Sequence, residues 1–217
     1  MKRKTIKTLY ASALSLTAFI LWTAAVKFID VSPIGPDGSV VGFATINSFF
    51  HKLTGVNMSL YIITDWLSLV PVGFVFGFAL VGLIQLLKRK RLFKVDYDIL
   101  ILGGFYVAVM TIYVLFEFVA VNYRPVLING VLESSYPSST TMLVMCIIPT
   151  AIMQLNSRLE NVRLKRTVSL ILYLFTLFMV AGRLLSGVHW LSDIVGGALV
   201  SAGLVMMYKA LIYIRTE

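Results

Sequence analysis

Three short stretches of this chain carry residue types that could do chemistry together. The first is Arg124-Pro125, the second Pro137-Ser138-Ser139-Thr140. The third sets Arg183 six residues before His189, with Asp193 four residues after the histidine. Arginine presents a planar fork that grips a phosphate bidentately. Hydroxyl residues behind a proline suit a helix start, where they cap free N–H groups, and a helix start also attracts anions. His189 and Asp193 stand one helical turn apart, so they share a face. A carboxylate that accepts a ring N–H fixes the imidazole tautomer and leaves the other nitrogen free to act. Two guanidinium forks, paired hydroxyls and an oriented imidazole are the parts needed to hold a phosphate and attack its phosphorus.

The elements that must position these residues are membrane spans. Of 217 residues, 59% are hydrophobic and only 13% charged, about half the charge usual in soluble domains. Several apolar runs reach the roughly 20 residues that a helix needs to cross a bilayer. The pattern predicts an all-α, polytopic membrane protein in a single domain, 1–217. Its six spans run over 8–29, 61–87, 98–121, 138–155, 167–187 and 191–213. The first run is longer than the roughly 7–15 residues of a signal-peptide core and reads as a retained helix. Residues 30–60 form an outer excursion, broken early by Pro33, Gly35, Pro36 and Gly38. Within it VGFATINSFFHKL reads as a short amphipathic helix at the interface. Small residues after the third stretch (Gly196, Gly197, Ala198, Ala202) would let the last span pack closely. The single cysteine, Cys146, lies inside an apolar run and reads as core.

The net charge of +9 is placed by topology. Lys2, Arg3, Lys4 and Lys7 precede the first span. Lys88, Arg89, Lys90, Arg91 and Lys94 follow the second. Arg158, Arg163, Lys165 and Arg166 follow the fourth, and Lys209 and Arg215 close the sixth. With both termini cytoplasmic, all of these fall inside, as the positive-inside bias requires. Lys27, Lys52, Arg124 and Arg183 remain outside. The charge is thus a topogenic signal with some affinity for anionic membrane lipids, and nucleic acid is not an expected partner. The three stretches share the outer face of the cell membrane. The two halves of the chain share no motif, which argues against a secondary transporter.

Taken together these residues resemble the type 2 phosphatidic acid phosphatase (PAP2) family, membrane relatives of the vanadium haloperoxidases. The family pattern is Lys-x6-Arg-Pro, then Pro-Ser-Gly-His, then Ser-Arg-x5-His-x3-Asp. The corresponding text here is EFVAVNYRP, PSST and GRLLSGVHWLSD. The resemblance implies a six-helix PAP2-like bundle and a lipid phosphatase without a metal or other cofactor. It implies that His189 attacks phosphorus, that Asp193 orients it, and that Arg183, Arg124, Ser138 and Ser139 cradle the phosphate. The residues themselves offer no metal site: there are only two histidines and no outward cluster of acids at ligand spacing.

Three positions depart from the pattern. Glu117 replaces the lysine, Gly182 the serine, and Thr140 the histidine that protonates the leaving group in the family. A threonine hydroxyl holds its proton too tightly for that task, and losing a placed acid costs about 10²–10⁴ in rate. The cost depends on the leaving group. An alkoxide needs a proton, whereas a phosphate leaving from a diphosphate does not, its second pKa being near 6. The expected substrate is therefore a lipid phosphate or diphosphate, with polyprenyl diphosphate favoured over phosphatidic acid and Thr140 within the phosphate-binding set. Glu117 and His51 are the possible proton donors. Glu117 stands two turns before Arg124 on the same face if the helix continues to the arginine. The alternative is a degenerate relative that binds or carries lipid phosphates without cleaving them.

Overall fold

The computed structural model describes residues 3–216. Eight α-helices account for most of them: α1 (Arg3–Phe28), α2 (Ala44–Thr54), α3 (Met58–Leu67), α4 (Leu69–Arg89), α5 (Tyr97–Phe118), α6 (Ser139–Arg158), α7 (Val162–Leu185) and α8 (Leu191–Thr216). Six segments are long and apolar enough to cross a membrane, α3 and α4 acting together as one of them. Only isolated β-bridges join extended residues among those described. The fold is an all-α bundle of membrane-spanning helices.

Its burial pattern is that of a protein solvated by lipid. Phe76, Leu80, Val107 and Phe118 are exposed, while Ser12, Asn47, Thr150 and Gln154 are buried. With no water in the hydrocarbon to satisfy polar groups, they turn inward and pair. Ser12 Oγ donates to the carbonyl of Gly203 and Ser15 Oγ to that of Leu199, both at 2.8 Å. These bonds hold α1 along α8. The centre of the bundle is α6, which packs against α4, α5, α7 and α8. The shortest of the expected spans is thus the most enclosed, and it carries the Pro-Ser-Ser-Thr stretch at its start.

Three differences from the sequence reading bear on the site, each for a local reason. The second span is two helices, because Pro71 has no N–H to offer the carbonyl of Leu67; Ser68 takes up the break, its Oγ bonding the Asp65 carbonyl at 2.5 Å. The third span ends at Phe118, so helix does not run on from Glu117 to Arg124. A hairpin intervenes. Asn129 and Gly130 both have positive φ, the turn that Asn-Gly favours. Around it the Tyr123 and Ser134 backbones form a bridge, and Arg124 N–H donates to the Glu133 carbonyl at 3.0 Å. The interfacial helix begins at Ala44. It turns Asn47 inward and leaves Ile46, Phe49 and Leu53 exposed.

Candidate active site

All three stretches meet at one end of the bundle, welded by backbone. Ser138 caps α6, its Oγ accepting from Thr141 N–H at 3.5 Å, while its own N–H donates to the Asp193 carbonyl at 3.0 Å. Asp193 lies in the first turn of α8 and reaches back to its start: Trp190 N–H donates to its Oδ2 at 3.0 Å, which satisfies a free donor there. The α7–α8 turn needs Gly187. Its φ is +67°, and a Cβ there would stand 1.9 Å from the Gly55 carbonyl oxygen. The end of the outer excursion therefore rests against the turn that carries His189. Gly196 makes room in the same way for the buried Tyr136 ring, with a Cβ otherwise 2.6 Å from it.

Within this frame Arg124 and His189 are neighbours, Nη1 standing 3.4 Å from Nε2. An arginine can only donate, so Nε2 is the accepting nitrogen and the ring proton sits on Nδ1. That nitrogen faces Asp193, but Oδ2 is 3.7 Å away and Nδ1 has no hydrogen-bond partner. The histidine–aspartate contact is electrostatic here, and the carboxylate's hydrogen bonds come from Trp190 N–H, Asn122 Nδ2 and Ser192 Oγ. His189 is buried. Desolvation brings its pKa down from 6.5 to about 4, with the Arg124 charge adding to the fall and Asp193 opposing it. The imidazole is therefore neutral at physiological pH, the form that can attack.

Arg124 extends from the hairpin, with Nε 2.9 Å from Glu133 Oε2. The approach is ionic, since the N–H does not point at the oxygen. Arg124, His189, Ser139 and Glu117 line one cleft, together with Ser135, Tyr113 and Tyr136. Glu117 thus reaches the cleft from the last turn of α5, without the continuous helix that the sequence suggested. Arg183 approaches from the other side. Its Nη2 donates to Thr140 Oγ1 at 2.6 Å and to Asp65 Oδ1 at 2.9 Å. Thr140 and Arg183 do not line the cleft, but both guanidinium groups lie over the Tyr61 ring, at 5.9 Å for Arg124 and 4.9 Å for Arg183. Both also act electrostatically on His189. His51 is not a cleft residue. Its ring packs 5.4 Å from that of Trp190, and burial lowers its pKa.

Several buried polar atoms here have no hydrogen-bond partner: Arg183 Nε and Nη1, Ser135 Oγ and Thr141 Oγ1. Buried polar groups are nearly always satisfied, so each of these free donors is available to an acceptor. Among the described residues no group of three His, Cys, Asp or Glu side chains could hold a metal ion.

A polar layer that the sequence reading missed lies beneath Asp193. Asn122 Nδ2 donates to Asp193 Oδ1 at 3.4 Å and to Ser192 Oγ at 3.3 Å, and its Oδ1 accepts from Gly42 N–H at 3.1 Å. Asn47 donates to Ser192 Oγ at 2.9 Å and to the Gly42 carbonyl at 2.8 Å. The outer excursion and the hairpin are joined to the His189 turn through these two asparagines. The Asn-Gly pair in the hairpin was the available signal that Arg124 sits on a turn rather than a helix.

The fold is that of a polytopic membrane protein, and at one end of its bundle two arginines stand near a buried imidazole. Residues 117–217, which contain all three motifs, match the family model of the PAP2 superfamily. In fold it is similar to the crystal structure of a transmembrane PAP2 type phosphatidylglycerolphosphate phosphatase from Bacillus subtilis. The TM-score is 0.63 at 19% identity, over 94% of this chain and 96% of that one. No curated protein sequence matches the chain.

Proposed function

We propose that this protein is a membrane lipid phosphatase working through a phosphohistidine. The observations that carry the reading are the unpartnered Nε and Nη1 of Arg183, whose charge acts on His189, and the unpartnered Ser135 Oγ in the cleft that His189 lines. In the proposed reaction the lipid tail stays in the bilayer and its phosphoryl group lies between Arg124 and Arg183. Ser138, Ser139 and the first N–H groups of α6 bind its oxygens. Arg124 moves its hydrogen bond from Nε2 to a phosphate oxygen, freeing the lone pair. Nε2 attacks phosphorus as the bond to the leaving oxygen breaks, and that oxygen departs with the electron pair. Water then attacks phosphorus, and the phosphorus–nitrogen bond breaks as the new phosphorus–oxygen bond forms. The lone pair returns to Nε2, inorganic phosphate leaves, and the water proton passes to solvent. Positioning and charge stabilisation do most of the work in such transfers.

Lipid diphosphates, of the polyprenyl kind, fit better than phosphatidic acid. Thr140 Oγ1 accepts from Arg183, so its own hydrogen remains to donate to a departing phosphate. It cannot protonate an alkoxide. The basic residues supply the orientation: termini in the cytoplasm and the site on the outer face of the cell membrane, within one membrane domain. The test is phosphate release from a panel of lipid mono- and diphosphates, wild type against His189→Ala. Release that survives the substitution sinks the mechanism. A second reading, binding without cleavage, is favoured by the tie between Thr140 and Arg183 at the position of the family's acid. Release by the wild type, lost in His189→Ala, excludes it.

A further inference from the structure

α3 carries none of the three motifs, yet one face of it meets both arginines. Tyr61 lies beneath the two guanidinium groups. One turn on, Asp65 accepts from Arg183 Nη2. Between them Thr64 faces Gly182, where a Cβ would stand only 2.7 Å from Thr64 Cγ2. Glycine at the position where the family pattern has serine therefore lets α3 come close enough for Asp65 to reach Arg183. The contacts run in register, Thr64 on Gly182 and Asp65 on Arg183.

This arrangement fixes more than distance. Nη2 gives its hydrogens to Asp65 and Thr140, while Nε and Nη1 have no partner. A guanidinium held at one end by two acceptors, with its face near an aromatic ring, has its plane set before any ligand arrives. We propose that Tyr61 and Asp65 are positioning residues of the phosphate site. They pre-orient Arg183, and through the shared ring Arg124, so that the free N–H groups converge on one phosphoryl group. This rests on the phosphatase reading for its ligand, although only anion binding is needed to test it.

An opposing effect has to be weighed. Asp65 is a negative charge near an anion site, and by repulsion alone it weakens binding. Its side chain is 57% exposed against 3% for Arg183, so solvent screens the repulsion more than it disturbs the geometric hold. Positioning therefore wins, and the sign of the effect of removing Asp65 decides the matter.

The experiment uses the full chain in detergent, with orthovanadate as the probe. Affinity is read from vanadate protection against thermal unfolding, alongside KM and kcat for phosphate release. Asp65→Ala and Tyr61→Leu should weaken vanadate about tenfold and act on KM more than kcat, as expected when a hydrogen bond to a charged group or its pre-orientation is lost. Asp65→Asn keeps an acceptor and Tyr61→Phe keeps the ring, so both should recover most of the affinity. Without vanadate the melting temperatures should stay close to wild type. Asp65→Ala binding vanadate as tightly as wild type, or more tightly, overturns the proposal. If Asp65→Ala does not fold, equal affinities in Tyr61→Leu and Tyr61→Phe overturn it. Wild type that binds vanadate but releases no phosphate sinks the phosphatase reading alone, and the variant affinities still decide this one. Wild type that does neither overturns both.

Discussion

His189 is chemically ready because it is buried. Desolvation holds it neutral down to about pH 4, whereas an exposed histidine is half protonated near 6.5. The chain has only two histidines, so in a His51→Gln background the imidazole NMR signal belongs to His189. It should titrate near 4, and a midpoint near 6.5 would show that the site is wet. The sign follows from linkage. A folded pKa below the unfolded value means the unfolded chain binds more protons, so stability from this group falls as pH drops from 6.5 towards 4. His189→Ala should remove turnover by on the order of 10⁴ or more, as loss of a nucleophile does in other covalent enzymes. Glu117 lines the same cleft. Glu117→Gln should slow a lipid monoester by about 10² or more and leave a lipid diphosphate within about threefold, because only the alkoxide needs a proton. Equal losses on both substrates would count against its role as donor.

At the scale of elements, the His189 turn is held by segments distant in sequence. Asn122 on the hairpin serves Asp193, Ser192 and Gly42 at once. Asn122→Ala leaves buried groups unpaired and should cost about 1–3 kcal/mol, read as a lower melting temperature together with slower phosphate release. Normal stability and normal rate would mean that Asp193 needs no such support. The sequence made the spans legible, since apolar run length is a direct demand of the bilayer. His189 and Asp193 could be read as a pair because their spacing is local, whereas Arg124 stood out only through its Arg-Pro pair. The sequence could not show Tyr61 or Asp65, whose partner is Arg183, far along the chain, nor that Asn47 and Asn122 are buried connectors. An asparagine in a short interfacial helix, or in the link after a span, reads as a surface residue whether or not a buried partner lies behind it. The break at Ser68 was hidden because hydrophobicity runs through it unchanged.

At the scale of the molecule, the charged ends and the site define a direction across the bilayer. Val131 sits at the hairpin tip and Phe93 in the link between α4 and α5, both exposed. With the buried Cys146 replaced by Ala, Val131→Cys should react with an impermeant thiol reagent in intact cells. Phe93→Cys should react only after permeabilisation. The reverse pattern would invert the orientation derived from the basic residues.

The amphipathic α2 ties this direction to the chemistry. It offers Ile46, Phe49 and Leu53 outward while Asn47 grasps Ser192, the neighbour of Asp193. A helix of that kind floats at the headgroup boundary, and here the float is fastened to the turn that carries His189. Bilayer thickness and lateral pressure thus become coordinates of the reaction. Turnover should track the mole fraction of substrate in the membrane rather than its bulk concentration, and should change with lipid chain length at constant headgroup.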